Sequence, residues 1–200
     1  MSVNLKKGEK ISLVKPGGGL KRVRVGLGWD EAPRKWGLFS MKTADIDCDA
    51  SVILCGEDGR VISDDANRCC VYFGNLRDAS GSIVHAGDNL TGGGEGDDEQ
   101  ITVDLSMVPA NIARLVFVVN IYDANVRKQH FGMIKNAFIR LVDLGNNTEI
   151  CRFNLTEDYT GMTGLVVGEI YRRSGEWKFN AVGQGVAEAS RLSSLIDLYG

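Results

Sequence analysis

Apolar and polar residues alternate in short stretches along the chain, as in Arg22-Val23-Arg24-Val25, Gln100-Ile101-Thr102-Val103-Asp104-Leu105 and Glu176-Trp177-Lys178-Phe179. A period of two puts the apolar side chains on one face of an extended segment, so these stretches predict strands buried on one side. Five more continuous apolar runs, Ala50 to Leu54, Cys69 to Phe73, Leu115 to Tyr122, Phe138 to Val142 and Leu165 to Ile170, predict strands covered on both faces. Many short strands separated by Gly-rich turns predict a mainly β chain folded as a two-sheet β-sandwich with few short helices. A turn at Pro109 is expected, and a C-terminal helix within Val186 to Tyr199. There Leu192, Leu195, Ile196 and Tyr199 share one helical face that should pack on a sheet. Gly17-Gly18-Gly19 reads as a hairpin turn, and no Pro/Ser-rich linker or repeat divides the chain, so residues 1–200 read as one domain.

Composition narrows the class. With 44% hydrophobic and 24% charged residues among 200, the chain has enough apolar surface to build a core, which argues against disorder. No run approaches the roughly 18 to 20 apolar residues of a membrane span. Met1 to Lys10 carry three lysines with no apolar stretch behind them, so no secretory signal is expected. Five cysteines without repeated spacing predict reduced, buried thiols in the cytoplasm rather than a disulfide framework.

The net charge of −3 conceals a segregation: +7 over residues 1–42, −11 over 43–104 and +1 over 105–200. So acidic a middle third repels nucleic acid and attracts cations. The basic first segment either neutralises it within the fold or meets an anionic partner.

The acids concentrate in Gly87-Asp88-Asn89-Leu90-Thr91-Gly92-Gly93-Gly94-Glu95-Gly96-Asp97-Asp98-Glu99, which holds five carboxylates, five glycines and no base. Carboxylates so close repel one another unless a cation sits among them. Calcium takes six to eight oxygens at roughly 2.3–2.6 Å, and glycines let a short loop turn its carbonyls inward. Zinc and copper prefer nitrogen and sulfur, which the loop lacks, and magnesium demands a stricter octahedron. Known loops fit only in part. An EF-hand starting at Asp88 fails at Leu90, the β-roll nonapeptide fails at Gln100, and a P-loop lacks its lysine. The plainer alternative is a solvated acidic turn. Other acids at strand ends should converge on such a site: Asp30 after Gly26-Leu27-Gly28-Trp29, and Asp123 after the run ending at Tyr122. Asp45, Asp47 and Asp49 alternate and should share one strand face, as ligands or facing solvent, while Ser63-Asp64-Asp65 reads as an ordinary turn.

These motifs resemble the TerD family of tellurium-resistance and bacterial stress proteins. The resemblance is carried by Val3-Asn4-Leu5-Lys6-Lys7-Gly8, Gly26-Leu27-Gly28-Trp29-Asp30, Asp47-Cys48-Asp49-Ala50-Ser51 and Tyr72-Phe73-Gly74-Asn75-Leu76. It continues through His85-Ala86-Gly87-Asp88-Asn89-Leu90-Thr91-Gly92, Gly96-Asp97-Asp98-Glu99, Ile121-Tyr122-Asp123-Ala124 and Ala181-Val182-Gly183-Gln184-Gly185. It implies a β-sandwich that binds two neighbouring calcium ions, a link to tellurite resistance and stress, and no established catalytic reaction. By matching motif, the metal ligands it implies are Asp30, Asp88, Asn89, Asp97, Asp98, Glu99 and Asp123, with Asp47 and Asp49 behind them.

Two rival readings use the same residues. His85 beside the loop and Cys69-Cys70 nearby suggest a Cys/His or zinc site, but adjacent strand residues face opposite ways. Buried thiols and a hydrogen-bonded loop histidine are the simpler expectation. A metal-activated water could run hydrolysis, though no substrate-side motif accompanies it. The expected partners are calcium ions together with other proteins of the stress-resistance system or the inner membrane surface, where each Lys/Arg would add about 1 kcal/mol. Nucleic acid is not expected.

Overall fold

The computed structural model describes residues 2–15, 18–31, 46–87 and 96–200. Its strands are β1 (Val3–Leu5), β2 (Lys10–Ser12), β3 (Val14–Lys15), β4 (Gly18–Gly19), β5 (Arg22–Glu31), β6 (Cys48–Cys55) and β7 (Cys70–Val71). They continue with β8 (Ile83–His85), β9 (Glu99–Asp104), β10 (Arg114–Ile121), β11 (Ile134–Asp143), β12 (Thr148–Asn154), β13 (Gly164–Arg173) and β14 (Glu176–Val186). Helices α1 (Ala66–Cys69), α2 (Ala124–Arg127) and α3 (Leu192–Ile196) are each about one turn. The first sheet has the order β1-β12-β11-β5-β9-β8, the second β2-β14-β13-β10-β6-β7, and β3 pairs with β4 separately. The last pairing, Val14 with Gly19 and Lys15 with Gly18, closes the hairpin expected at the glycine triplet.

Alternation decides which side chains meet. In β9 every second residue is buried, and Ile101 and Val103 join Val23, Val25, Leu27, Ile139 and Leu141 on the inner face of the first sheet. From the second sheet Ala50, Val52, Leu54, Leu115, Phe117 and Val119 meet them in the main core. All eight residues of β6 are buried, because Ile53 and Cys55 lie in a second core with Val116, Val118 and Val166 on the other side of that sheet. This core is roofed by Ala189, Leu192, Leu195, Ile196 and Tyr199, the face expected of the C-terminal helix. The roof lies close because β13 has glycine at 164, where a Cβ would stand 2.5 Å from that of Ala189.

Three expectations need correction. The C-terminal helix starts only at Leu192, since β14 continues to Val186 along β13. Cys69 closes α1 instead of opening a strand, and of the expected run only Cys70 and Val71 are strand while Phe73 is half-exposed. Asp65 is more than a turn residue: its carboxylate accepts the Asn67 N–H at 3.0 Å and caps α1. The five cysteines are buried free thiols. Burial pushes those of Cys55 and Cys151 up to about 12, which makes them inert at neutral pH. Among the described residues no helix is long and apolar enough to cross a membrane.

Candidate metal centre

Gly26 and Gly28 lie on the outer face of the first sheet, opposite Arg140 and Phe138 of β11. A Cβ at Gly26 would stand 2.2 Å from the Asp97 carboxylate carbon, and one at Gly28 would stand 2.4 Å from the Phe138 ring. The two missing side chains thus make a trough in which Asp97 lies flat. Its side chain is 1% exposed, and one oxygen accepts from Arg140 Nε at 2.6 Å. The other oxygen, Oδ2, is buried with no hydrogen-bond partner.

Asp98 is held to β5 at two points: its N–H donates to the Leu27 carbonyl at 2.8 Å and its carboxylate accepts the Trp29 N–H at 2.7 Å. Burial raises its pKa above the ordinary value, and the charges of Asp30, Asp97 and Glu99 push the same way against the Trp29 hydrogen bond. Asp30, exposed near the end of β5, accepts from Asn136 Nδ2 at 2.7 Å. Asp30 and Asp97 thus stand within electrostatic reach of Asp98 where β5 ends and β9 begins.

Glu99 points inward. It is 1% exposed, faces the main core from the start of β9, and lies 3.2 Å from His85 Nε2. The Gly87 N–H donates to His85 Nδ1 at 3.0 Å, so Nδ1 carries no proton and Nε2 does. That Nε2–H donates to the Ala50 carbonyl at 3.1 Å, and Glu99 Oε2 lies 3.2 Å from the same nitrogen as an electrostatic neighbour. The contact ties the end of β8 to the start of β6 and places both sheets' acids at one end of the sandwich. His85 is the last residue of β8 and not a loop residue, and it faces the main core whereas Cys55 and Cys70 face the second. A shared Cys/His site is thereby ruled out for these residues.

The remaining described acids lie on the second sheet, where Asp49 and Asp123 line one pocket. Asp47 precedes β6, which begins at Cys48, and its carboxylate lies 3.8 Å from Arg127. Asp49 is buried on the outer side of the second sheet and accepts from Asn120 Nδ2 at 3.4 Å. Asp123 follows β10 in the left-handed region (φ 51°), exposed, and leads into α2. Asp45, Asp88 and Asn89 lie outside the described residues, as does the basic stretch around Arg34-Lys35-Trp36. Packed sheets stand about 10 Å apart, so Asp97 on one outer face and Asp49 on the other cannot share one ion. Among the described residues no three His, Cys, Asp or Glu side chains form a group that could hold a metal ion.

Two polar residues that contact candidate acids were not singled out in the sequence, Arg140 and Asn120. Each is the lone polar residue on an otherwise apolar run, and that was the available signal.

The geometry separates Asp97 from Asp98. Asp98 holds a raised pKa, so the folded chain keeps a proton that the unfolded chain releases above about 3.8. Stability is lost as pH rises through that window, and ionised Asp98 weakens the metal-free fold at neutral pH. In chelator at pH 7, Asp98→Asn should melt a few degrees higher than wild type, with about 2–4 °C per kcal/mol, and the gain should vanish as pH falls toward 4. Asp97→Asn should melt lower, because Arg140 loses the nearer of its two carboxylate partners and keeps only Glu149. A lower melting point for Asp98→Asn at pH 7 would contradict this arrangement.

A family model for the TerD domain matches residues 1–199. The stress response protein SCP2 of Bacillus subtilis (strain 168) is 50% identical over 203 residues, with 100% of both chains covered. The tellurium resistance protein TerD of Serratia marcescens is 44% identical over 200 residues, 100% of this chain and 98% of its own. A crystal structure of a homologue of the telluride resistance protein TerD from Streptomyces coelicolor A3(2) superposes with a TM-score of 0.62 at 26% identity, over 84% of this chain and 91% of that one.

Proposed function

The chain belongs to the TerD family of tellurium-resistance and stress-response proteins, and from that premise we propose that it works by binding calcium at the end of the first sheet. The observation that carries this reading is the convergence of Asp30, Asp97 and Asp98 around β5, with Asp97 Oδ2 buried and unpartnered. The donors are all oxygens, as calcium prefers. In this reading Asp88 and Asn89 complete the ligand set, and Glu99 orders the start of β9 through His85. Asp47, Asp49 and Asp123 stand apart from it.

The protein acts by binding rather than turnover. His85, the imidazole nearest the acids, is buried with both ring nitrogens engaged, so it is not placed to pass protons to a bound molecule. Calcium cancels the local charge and lets this end dock another protein of the stress-resistance system, with exposed Tyr122 and Val126 available for contact. Five buried thiols suit a reducing cytoplasm.

Calorimetric titration of calcium tests the reading. Asp97→Asn and Asp98→Asn should each weaken binding at least about tenfold, roughly 1.4 kcal/mol, while Glu57→Gln in the distant Gly56–Gly59 turn leaves it unchanged. If both aspartate variants bind as tightly as the Glu57 control, the site is misplaced.

A further inference from the structure

Where β11 begins, one extra residue is built into it. Lys135 stands opposite Asp30 and Phe138 opposite Gly28, so Asn136 and Ala137 together face the single residue Trp29 of β5. Asn136 takes the left-handed conformation (φ 53°) used by one class of such bulges. The bulge decides which way Lys135 faces. Asp30 and Gly28 are two apart on one unbroken strand, so Lys135, across from Asp30, joins Phe138 on the outer face of the first sheet, a place simple alternation would deny it. There a recess of about 660 Å³ opens between the start of β11 and the end of β12, bordered by Lys135, Asn136, Arg152, Asn154, Thr156 and Glu157. Its volume lies within the range for small organic ligands.

Arg152 indicates what the recess receives. Its guanidinium lies over the Phe138 ring, 3.5 Å from the centroid, and its Nε donates to Asn154 Oδ1 at 2.9 Å. Ring and amide hold the group, while Nη1 and Nη2 donate to none of the described residues and stay within reach of solvent. Arg140, directly opposite on β11, is paired with Asp97 and Glu149, whereas Arg152 has no carboxylate partner among the described residues. A guanidinium stacked on a ring and held at Nε is a preset two-pronged donor, the geometry that matches two oxygens of one oxyanion. With its Oδ1 taken by Arg152, Asn154 offers Nδ2 as a further donor. Thr156 adds an exposed hydroxyl and Lys135 an exposed ammonium. Of the nearby acids, Glu157 is held by Lys7 at 2.6 Å and Asp30 accepts from Asn136. Lys7, Lys135 and Arg152 outweigh these two, so the recess is positive.

We propose that this recess binds the phosphate group of a small, soluble polar ester. Arg152 Nη1 and Nη2 meet two of its oxygens, Lys135 supplies charge, and Asn154 and Thr156 donate to the third oxygen or to hydroxyls of the ester. A phosphate monoester carries about two negative charges at neutral pH and three terminal oxygens, so it engages the fork and the ammonium together, which a carboxylate cannot do as fully. The inference goes beyond calcium binding and does not rest on it, since its donors are nitrogens and a hydroxyl that belong to no carboxylate of the metal centre.

Glycerol 3-phosphate is a suitable probe, and glycerol is its uncharged counterpart. Titrated into the full chain at low salt, with metal removed on a chelating resin so that no soluble chelator competes as an anion, the ester should give saturable amide shifts centred on residues 134–137 and 152–157. Glycerol should give none. Arg152→Lys keeps the charge but loses the fork and the stack, and should weaken the ester at least tenfold. Lys135→Gln, at an exposed position where folding is not at risk, should weaken it severalfold. Lys178→Gln, on β14 of the other sheet, removes the same charge and should leave the affinity unchanged. The proposal is overturned if the ester does not bind, if glycerol binds equally, or if the Arg152 and Lys135 variants bind as tightly as the Lys178 control. It is also overturned if the protein sediments with phosphatidylcholine vesicles carrying phosphatidic acid while ignoring the soluble ester.

Discussion

Removing calcium with a chelator is expected to lower the melting temperature by roughly 8–16 °C for each site emptied. The size follows from mass action: an ion held at about 1,000 times its dissociation constant stabilises the fold by about 4 kcal/mol. A chain of this length shifts by about 2–4 °C per kcal/mol. The direction follows from the geometry. Without an ion, Asp30, Asp97 and Asp98 share one end of a strand with Arg140 and Asn136 as their polar neighbours, and Asp98 already resists ionisation there. Melting curves that are the same in saturating calcium and in chelator, on protein shown by elemental analysis to carry no metal after chelation, would contradict the expectation.

The second large effect is expected at His85. Leucine at this position removes the donor that faces Glu99 at 3.2 Å and leaves that carboxylate deeper in apolar surroundings. The hydrogen bond to the Ala50 carbonyl contributes about 0.5–1.5 kcal/mol, and the desolvation left behind at that carbonyl and at Glu99 adds to it. His85→Leu should therefore cost about 3 kcal/mol by denaturant unfolding in chelator. The double variant His85→Leu/Glu99→Leu should recover at least about 1 kcal/mol, because the buried carboxylate is then gone and only the Ala50 carbonyl and the Gly87 N–H have lost a partner. Additive losses, or a single-variant loss below about 1 kcal/mol, would show that the contact carries little.

Much of the fold was legible because burial leaves a period in the chain. The alternation around Ile101 and Val103 marks a strand with one wet face, and the unbroken run in β6 marks one between two cores. Leu192, Leu195, Ile196 and Tyr199 declared their common face even though the helix start did not show, since extended pairing with β13 overrides local preference up to Val186. The site was legible as composition but not as arrangement. Asp97, Asp98 and Glu99 are consecutive, yet one lies over Gly26, one is clamped to Trp29 and one enters the core. Asp47 and Asp49 were expected on one face; β6 begins at Cys48, and Asp47 carries its pairing one residue further by accepting the Tyr122 N–H at 2.8 Å. Sheet register decides such matters, and it depends on residues far away in sequence, such as the pairing of Gly26 with Arg140 and of Asp49 with Asn120.

The central claim is that calcium binds at the end of β5 and β9, and a calcium titration followed by amide NMR tests it most directly. Saturable shifts should concentrate at residues 26–30 and 96–99, with those at Asp49 and Asn120 small by comparison. No saturable shift, or shifts centred on Asp49 and Asn120 while residues 26–30 stay still, would contradict it.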